Sequence, residues 1–312
     1  MFKEVLEKIN SYDTIIIHRH SNPDGDAIGC QVGLKLILQA NFPNKRIFAV
    51  GDQPKRYAFI EESTPDEIPN EYYENALAII LDTSANALIS DNRYLLADCT
   101  VKIDHHIYCE KIADIEVTQT SYESCCGLVA QFAYDCKLIM PCLAAKALYT
   151  GMITDSGRFR YDSTSPQTFK MAAYLLEQKF ETGDIFRNLY SDDFEFIKLK
   201  AQFILKIQFT DKKVAYIYTS PEELATYNAD TFTISRGMVN TMAEIKGVDV
   251  WANFTHTENG ILVELRSSIY NVNQVAVKYG GGGHLKASGA TLKSIEEMNL
   301  MIKDLNDLVV GD

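Results

Sequence analysis

The sequence has little of what would tie it to a membrane, a disulfide scaffold or long nucleic acid. Its apolar runs, such as "TIII" at 14–17 and "LAIIL" at 77–81, fall well short of the roughly 20 residues that a membrane-crossing helix requires. Basic residues are outnumbered, with 30 Lys and Arg against 42 Asp and Glu and a net charge of −12. Such a chain lacks the broad positive footprint that long nucleic acid demands, although bound cations can still reverse the local field for a small anion. The seven cysteines, Cys30, Cys99, Cys109, Cys125, Cys126, Cys136 and Cys142, are odd in number and include no C-x-x-C pair. They are expected to be reduced, mostly buried small side chains rather than a disulfide framework. The opening "MFKEVLEKIN" reads as an acidic amphipathic helix and not as a signal peptide, so a cytoplasmic protein is expected.

What is present is a globular chain of 312 residues, 46% hydrophobic, long enough for two domains with separate cores. Apolar β-branched runs at 14–18, 46–50, 77–82, 100–104 and 113–117 alternate with helical stretches. Short continuous runs of this kind predict strands covered on both faces, hence a parallel α/β sheet. Helices are predicted from about Ala27 to Gln39 and over 122–136, 142–154 and 166–179, the last opening on Ser165-Pro166 as cap and first turn. The pattern shifts near 190–210, where one or two connecting helices precede strands at 214–219, 250–255 and 261–268 and a closing helix near 294–309. A second, smaller α/β domain follows from this spacing.

The chemistry-bearing residues gather at the strand ends. "TIIIH" leads into His18, His20, Asp24 and Asp26; "LAIILD" ends on Asp82; "TVKID" ends on Asp104 and is followed by His105 and His106; a helix ends "MITDSGRFR" with Asp155. Ligands of an open parallel sheet bind outside the carboxyl ends of its strands, so these residues converge despite their distance in sequence. Taken singly they have plainer readings, with Asp24 and Asp26 as turn residues and Asp26 as the cap of the next helix. Together they are costly to bury without a task. Imidazole mixed with several carboxylates and no thiolate suits manganese or a similar ion better than structural zinc. The number of carboxylates suggests two ions, the usual device for phosphate ester hydrolysis.

A second constellation is "KYGGGGHLKASGA" at 278–290, with Arg266 upstream in "VELRSS". Consecutive glycines let backbone amides approach an anion, and an arginine recognises phosphate in a multidentate way. A flexible loop is the plainer alternative. Arg158 and Arg160 flank Asp155 and either reach a substrate or face solvent in a salt bridge. Trp251 is read as a core or surface residue and His256 as a turn residue.

In order and spacing, "HRHSNPDGDAIG", "LDTS", "DHH" and "GMITDSGRF" resemble the DHH phosphoesterase superfamily, and "LRSS…NVNQVAVKYGGGGHLKASGA" resembles its DHH-associated C-terminal domain. The likeness covers nearly the whole chain and is similar to the branch of short bifunctional oligoribonucleases and pAp phosphatases. It implies a parallel-sheet DHH domain at 1–190, a helical linker at 191–211 and a substrate-binding domain at 212–312, with the active site in the cleft between them. It implies two manganese ions held by His20, Asp24, Asp26, Asp82, His105 and Asp155, with Asp82 bridging and also counted with His105 and His106 as catalytic. Arg266, Gly282, Gly283, His284, Ser288 and Arg158 are assigned to the substrate. The implied activity is hydrolysis of very short oligoribonucleotides and dinucleotides such as pApA to 5′-mononucleotides, with pAp 3′-phosphatase activity alongside. Direct cleavage of cyclic di-AMP is the rival within enzymes, and a catalytically silent nucleotide sensor the rival outside them. A homodimer is expected from the resemblance. The chain departs from the pattern at Cys30, where a serine is expected, and at Ile107-Tyr108-Cys109, which lacks an asparagine often found after "DHH".

Overall fold

A computed structural model describes residues 1–309 and divides the chain into two compact units, Met1–Ser191 and Asp192–Asp312. Among the described residues no helix is long and apolar enough to cross a membrane.

The first unit opens with helix α1 (Lys3–Ser11) and builds its sheet from β1 (Thr14–His18), β2 (Arg46–Ala49), β3 (Ala76–Leu81), β4 (Cys99–Asp104) and β5 (Ile115–Thr118). All neighbours are parallel, in the order β2-β1-β3-β4-β5. Every residue of β1 and β3 is buried, which is why their sequences read as unbroken apolar runs. The strand order reverses between β1 and β3, so the loops leaving those two strands diverge and leave a crevice at the carboxyl edge.

Helices α2 (Gly25–Asn41), α3 (Cys125–Asp135), α4 (Cys142–Asp155) and α5 (Pro166–Leu176) supply the buried face beside the sheet. Helices α2 and α4 lie unusually close. A Cβ on Gly29 would stand 2.6 Å from the Ala147 carbonyl, and one on Gly151 would stand 2.3 Å from the Cys126 sulfur. Gly25 at the start of α2 meets Thr154 at the end of α4, so the two helices run in opposite directions and bring Asp26 beside Asp155. The unit closes with α6 (Thr182–Tyr190).

The second unit begins with α7 (Phe194–Leu205) and builds a six-stranded sheet from β6 (Gln208–Phe209), β7 (Ala215–Thr219), β8 (Val250–Thr257), β9 (Gly260–Ser267), β10 (Gly282–His284) and β11 (Ala287–Leu292). Its order is β10-β11-β9-β8-β7-β6, and only β7 and β8 pair in parallel. A short helix α8 (Pro221–Leu224) follows β7; α9 (Asn273–Lys278) and α10 (Ile295–Leu308) contribute to one core, and Phe203 of α7 to another. The β9 burial pattern alternates strictly, giving the period of two expected of a strand with one buried face.

Three expectations need amendment, and the first is His256, which lies within β8 and not in a turn. The cap of α2 is Asp24, whose Oδ1 accepts the N–H groups of Asp26 and Ala27 at 3.0 Å each, and not Asp26, which is buried. The glycine run is not a bare loop, because its end forms the edge strand β10 of a hairpin. The cysteines are all free, with Cys30, Cys99, Cys125 and Cys126 buried but Cys109 and Cys142 exposed.

Candidate metal centre

The residues at the carboxyl edge of the first sheet converge on Asp82. Its side chain is nearly fully buried, and its Oδ1 has no hydrogen-bond partner. The backbone at Asp82 adopts φ +54°, a left-handed conformation that aspartate tolerates better than most residues. His20 Nε2 lies 3.5 Å from Asp82 Oδ2, and His105 Nε2 lies 3.4 Å from Oδ1. His105 Nε2 is also 3.4 Å from Asp155 and 3.7 Å from Asp26, while His20 Nε2 is 3.8 Å from Asp24.

These distances define three overlapping groups able to hold a cation: His20 with Asp24 and Asp82, Asp26 with His105 and Asp155, and Asp82 with His105 and His106. The carboxylate of Asp82 belongs to two of them. The histidines are oriented for this. His20 Nδ1 lies 2.8 Å from the Ser21 carbonyl and His105 Nδ1 lies 3.3 Å from the Tyr122 carbonyl. A carbonyl only accepts, so Nδ1 carries a proton in both rings and Nε2 faces inward, where a bound cation would replace its proton. His106 differs, with Nδ1 held 2.8 Å from Asp104 Oδ1.

Asp26 reaches the centre from the first turn of α2 and is anchored by α3. Its two oxygens accept the N–H groups of Cys125 and Cys126 at 2.7 and 2.8 Å, the free donors of a helix N-terminus. Asp155 is the last residue of α4. Spacing along the chain could not show either tether, and the functional parts that sequence reading missed are of this kind: the hold of Asp104 on His106, the α3 amides and the buried Lys102 behind Asp104.

The electrostatics describe a site short of positive charge. Burial opposes protonation of His20 and His105, yet the carboxylates of Asp24, Asp82 and Asp26 outweigh it and push both rings up to about 10. Burial, with Asp82 nearby, raises Asp26 well above the carboxylate range and lifts Asp155 to about 6. Although burial opposes its ionisation, Asp82 is held low by His105 and His20. Protons therefore take the place that a multivalent cation would fill.

In the second unit the register aligns His284, Ala287, Arg266 and Trp251 in one row across four strands. Arg266 and His284 thus stand on the same face, two strand spacings apart, or roughly 9–10 Å. Gly283 has φ +135°, and a Cβ there would sit 2.7 Å from the Ala287 carbonyl. Ser288 is buried, donating to the His284 carbonyl at 2.8 Å and accepting from Asn273 at 3.2 Å, so it braces the turn. Gly282 and Gly283 are exposed in β10. Arg158 lies with its guanidinium 4.5 Å from the Tyr190 ring centroid.

Residues 14–152 match the DHH family, N-terminal domain, and residues 213–311 match the DHHA1 domain. The chain is 35% identical over 309 residues to the probable bifunctional oligoribonuclease and PAP phosphatase NrnA of Streptococcus mutans, covering 99% of each. It is 33% identical over 311 residues to the bifunctional oligoribonuclease and PAP phosphatase NrnA of Bacillus subtilis, covering 99% of this chain and 98% of that one. An exopolyphosphatase-related protein of Bacteroides fragilis shares the fold, with a TM-score of 0.83 at 24% identity over 98% of this chain and 96% of that one.

Proposed function

The chain belongs to the DHH phosphoesterase family, and on that premise we propose that it hydrolyses very short oligoribonucleotides and linear dinucleotides such as pApA to 5′-mononucleotides, with pAp 3′-phosphatase activity alongside. The observation that carries the reading is the convergence of two histidines and three further carboxylates around buried Asp82, whose Oδ1 has no hydrogen-bond partner.

That donor set fits divalent cations, since every inward atom is an imidazole nitrogen or a carboxylate oxygen. His20, Asp24 and Asp82 would hold one manganese ion, and Asp26, His105 and Asp155 a second, with Asp82 shared. Bound there, the ions supply Lewis acidity and charge neutralisation to a phosphoryl group. The remaining work falls to the chain. The Asp104 carboxylate fixes the His106 ring through Nδ1, leaving Nε2 to hold a proton against a phosphate oxygen. Tyr122 and Ser21, through their carbonyls, keep the other two imidazoles in the ligand tautomer. In the second unit, Arg266, His284 and the β10 backbone provide for a phosphate of the substrate.

Rates on pApA, cyclic di-AMP, pAp and a five-nucleotide RNA, with manganese and after chelation, test this reading. The expected order puts pApA first, with all activity lost on chelation. Full activity in chelator, or faster turnover of the five-nucleotide RNA, overturns it. Cyclic di-AMP has no terminal phosphate and is expected to be slower; if it leads, the rival reading holds. The same reading expects a cytoplasmic homodimer, which light scattering on the purified protein checks.

A further inference from the structure

The exposed part of the second sheet's face carries more than a phosphate needs. Glu264 stands two residues before Arg266 on the same side of β9, and its Oε2 lies 3.0 Å from the Arg266 guanidinium. Glu264 also lines an open groove of about 560 Å³. Part of the groove's lining is backbone, because Gly281 and Gly289 meet there: a Cβ on Gly281 would stand 2.1 Å from the Gly289 carbonyl. Phe232 and Arg236 contribute to its lining as well. Phe232 is 66% exposed, and the Arg236 guanidinium lies 5.8 Å from its ring centroid.

The segment carrying these two side chains is built with care. Residues Thr233–Gly237 form a π-helical turn, a rare conformation that frequently marks functional sites. Fully buried Asn253 holds it from below, donating to the carbonyls of Ile234 and Ser235 at 2.7 Å each. A large aromatic ring left in water, beside a guanidinium, a flat glycine wall and a carboxylate, is poor packing for a core. It matches a planar heterocycle with π-faces to stack and exocyclic amines to donate.

We propose that Phe232, Arg236 and Glu264 form a nucleobase subsite, which takes the purine attached to the phosphate held by Arg266 and His284. The proposal rests on the reading of the protein as a nucleotide phosphoesterase and adds that the second unit reads the base. Phe232 stacks on the purine, Arg236 closes over the stack, and Glu264 accepts from an exocyclic amine while orienting Arg266.

The test is calorimetric titration of the whole protein in chelator, which keeps the first unit from capturing the phosphate. AMP is compared with ribose 5-phosphate, the same ligand without a base. AMP is expected to bind on the order of tenfold or more tightly, the worth of one stacked base. Phe232→Ala should erase that advantage while leaving ribose 5-phosphate affinity as it was, and in metal-loaded enzyme it should raise KM for pApA. Equal binding of the two ligands by the wild type, or an unchanged AMP advantage in Phe232→Ala, overturns the subsite. Should the activity reading fail instead, no dinucleotide is turned over by the wild type, and the binding ratio still decides the subsite.

Discussion

The buried carboxylate of Asp26 accepts the backbone N–H of Cys125 at 2.7 Å, joining two residues 99 positions apart. Its other oxygen takes the N–H of Cys126, so one side chain both caps α3 and faces His105. Asp26→Ala leaves two buried donors without acceptors. The loss should be about 2–4 kcal/mol of unfolding free energy, read by urea denaturation in chelator. Metal content should fall in the same variant; unchanged stability would show that α3 does not depend on this carboxylate.

Asp82, like His105, belongs to two of the three groups able to hold a cation, and Asp82→Asn keeps its shape while weakening its donor power. Turnover of pApA should drop by at least about a hundredfold, and bound manganese per chain should fall with it. Elemental analysis beside the rate separates lost metal from lost chemistry.

The metal-free protein should lose stability as pH rises. His20 and His105 are raised from 6.5 to about 10, so the folded state holds their protons more tightly than the unfolded chain. That stabilisation is complete below 6.5 and is lost as pH climbs through about 10. Asp155, raised from 3.8 to about 6, acts in the same direction at lower pH, whereas the benefit from depressed Asp82 is already complete above 3.8. Melting temperature in chelator should therefore decline from about pH 6.5 to 9. Added manganese should restore more at the alkaline end, because bound metal replaces the protons.

Lys102 is fully buried, with Nζ 3.8 Å from both Asp104 and Glu116 and no hydrogen-bond partner. Lys102→Met strips the compensating charge from buried Asp104 and should cost about 3–5 kcal/mol. Adding Asp104→Asn should recover part of the loss while slowing turnover, since a neutral amide holds His106 more weakly than the carboxylate does. Additive losses in the double variant would refute the coupling.

Gly283→Ala tests the turn of the second unit. Its φ of +135° and the nearby Ala287 carbonyl leave no room for a methyl group. The expected result is a higher KM for pApA with little change in kcat.

Much of this arrangement is legible in the chain itself. Buried parallel strands announce themselves as unbroken runs such as "TIIIH" and "ALAIIL", and the acids and imidazoles that follow them mark the carboxyl edge. The hairpin of β10 and β11 was less legible, because glycine has little strand preference and β10 spans only three residues.

The sequence by itself determined which residue types stand at the strand ends, and the alternation of runs determined that those ends share one edge. Tertiary structure alone decided what each residue does there. It made Asp24 the cap of α2 and buried Asp26 against the α3 amides. It brought Asp155 across by the close packing of α2 on α4, and it placed Lys102 behind Asp104. Those roles depend on contacts between residues as far apart in sequence as Gly25 and Thr154. Local patterning cannot encode such contacts, because their geometry exists only once the helices have packed on the sheet.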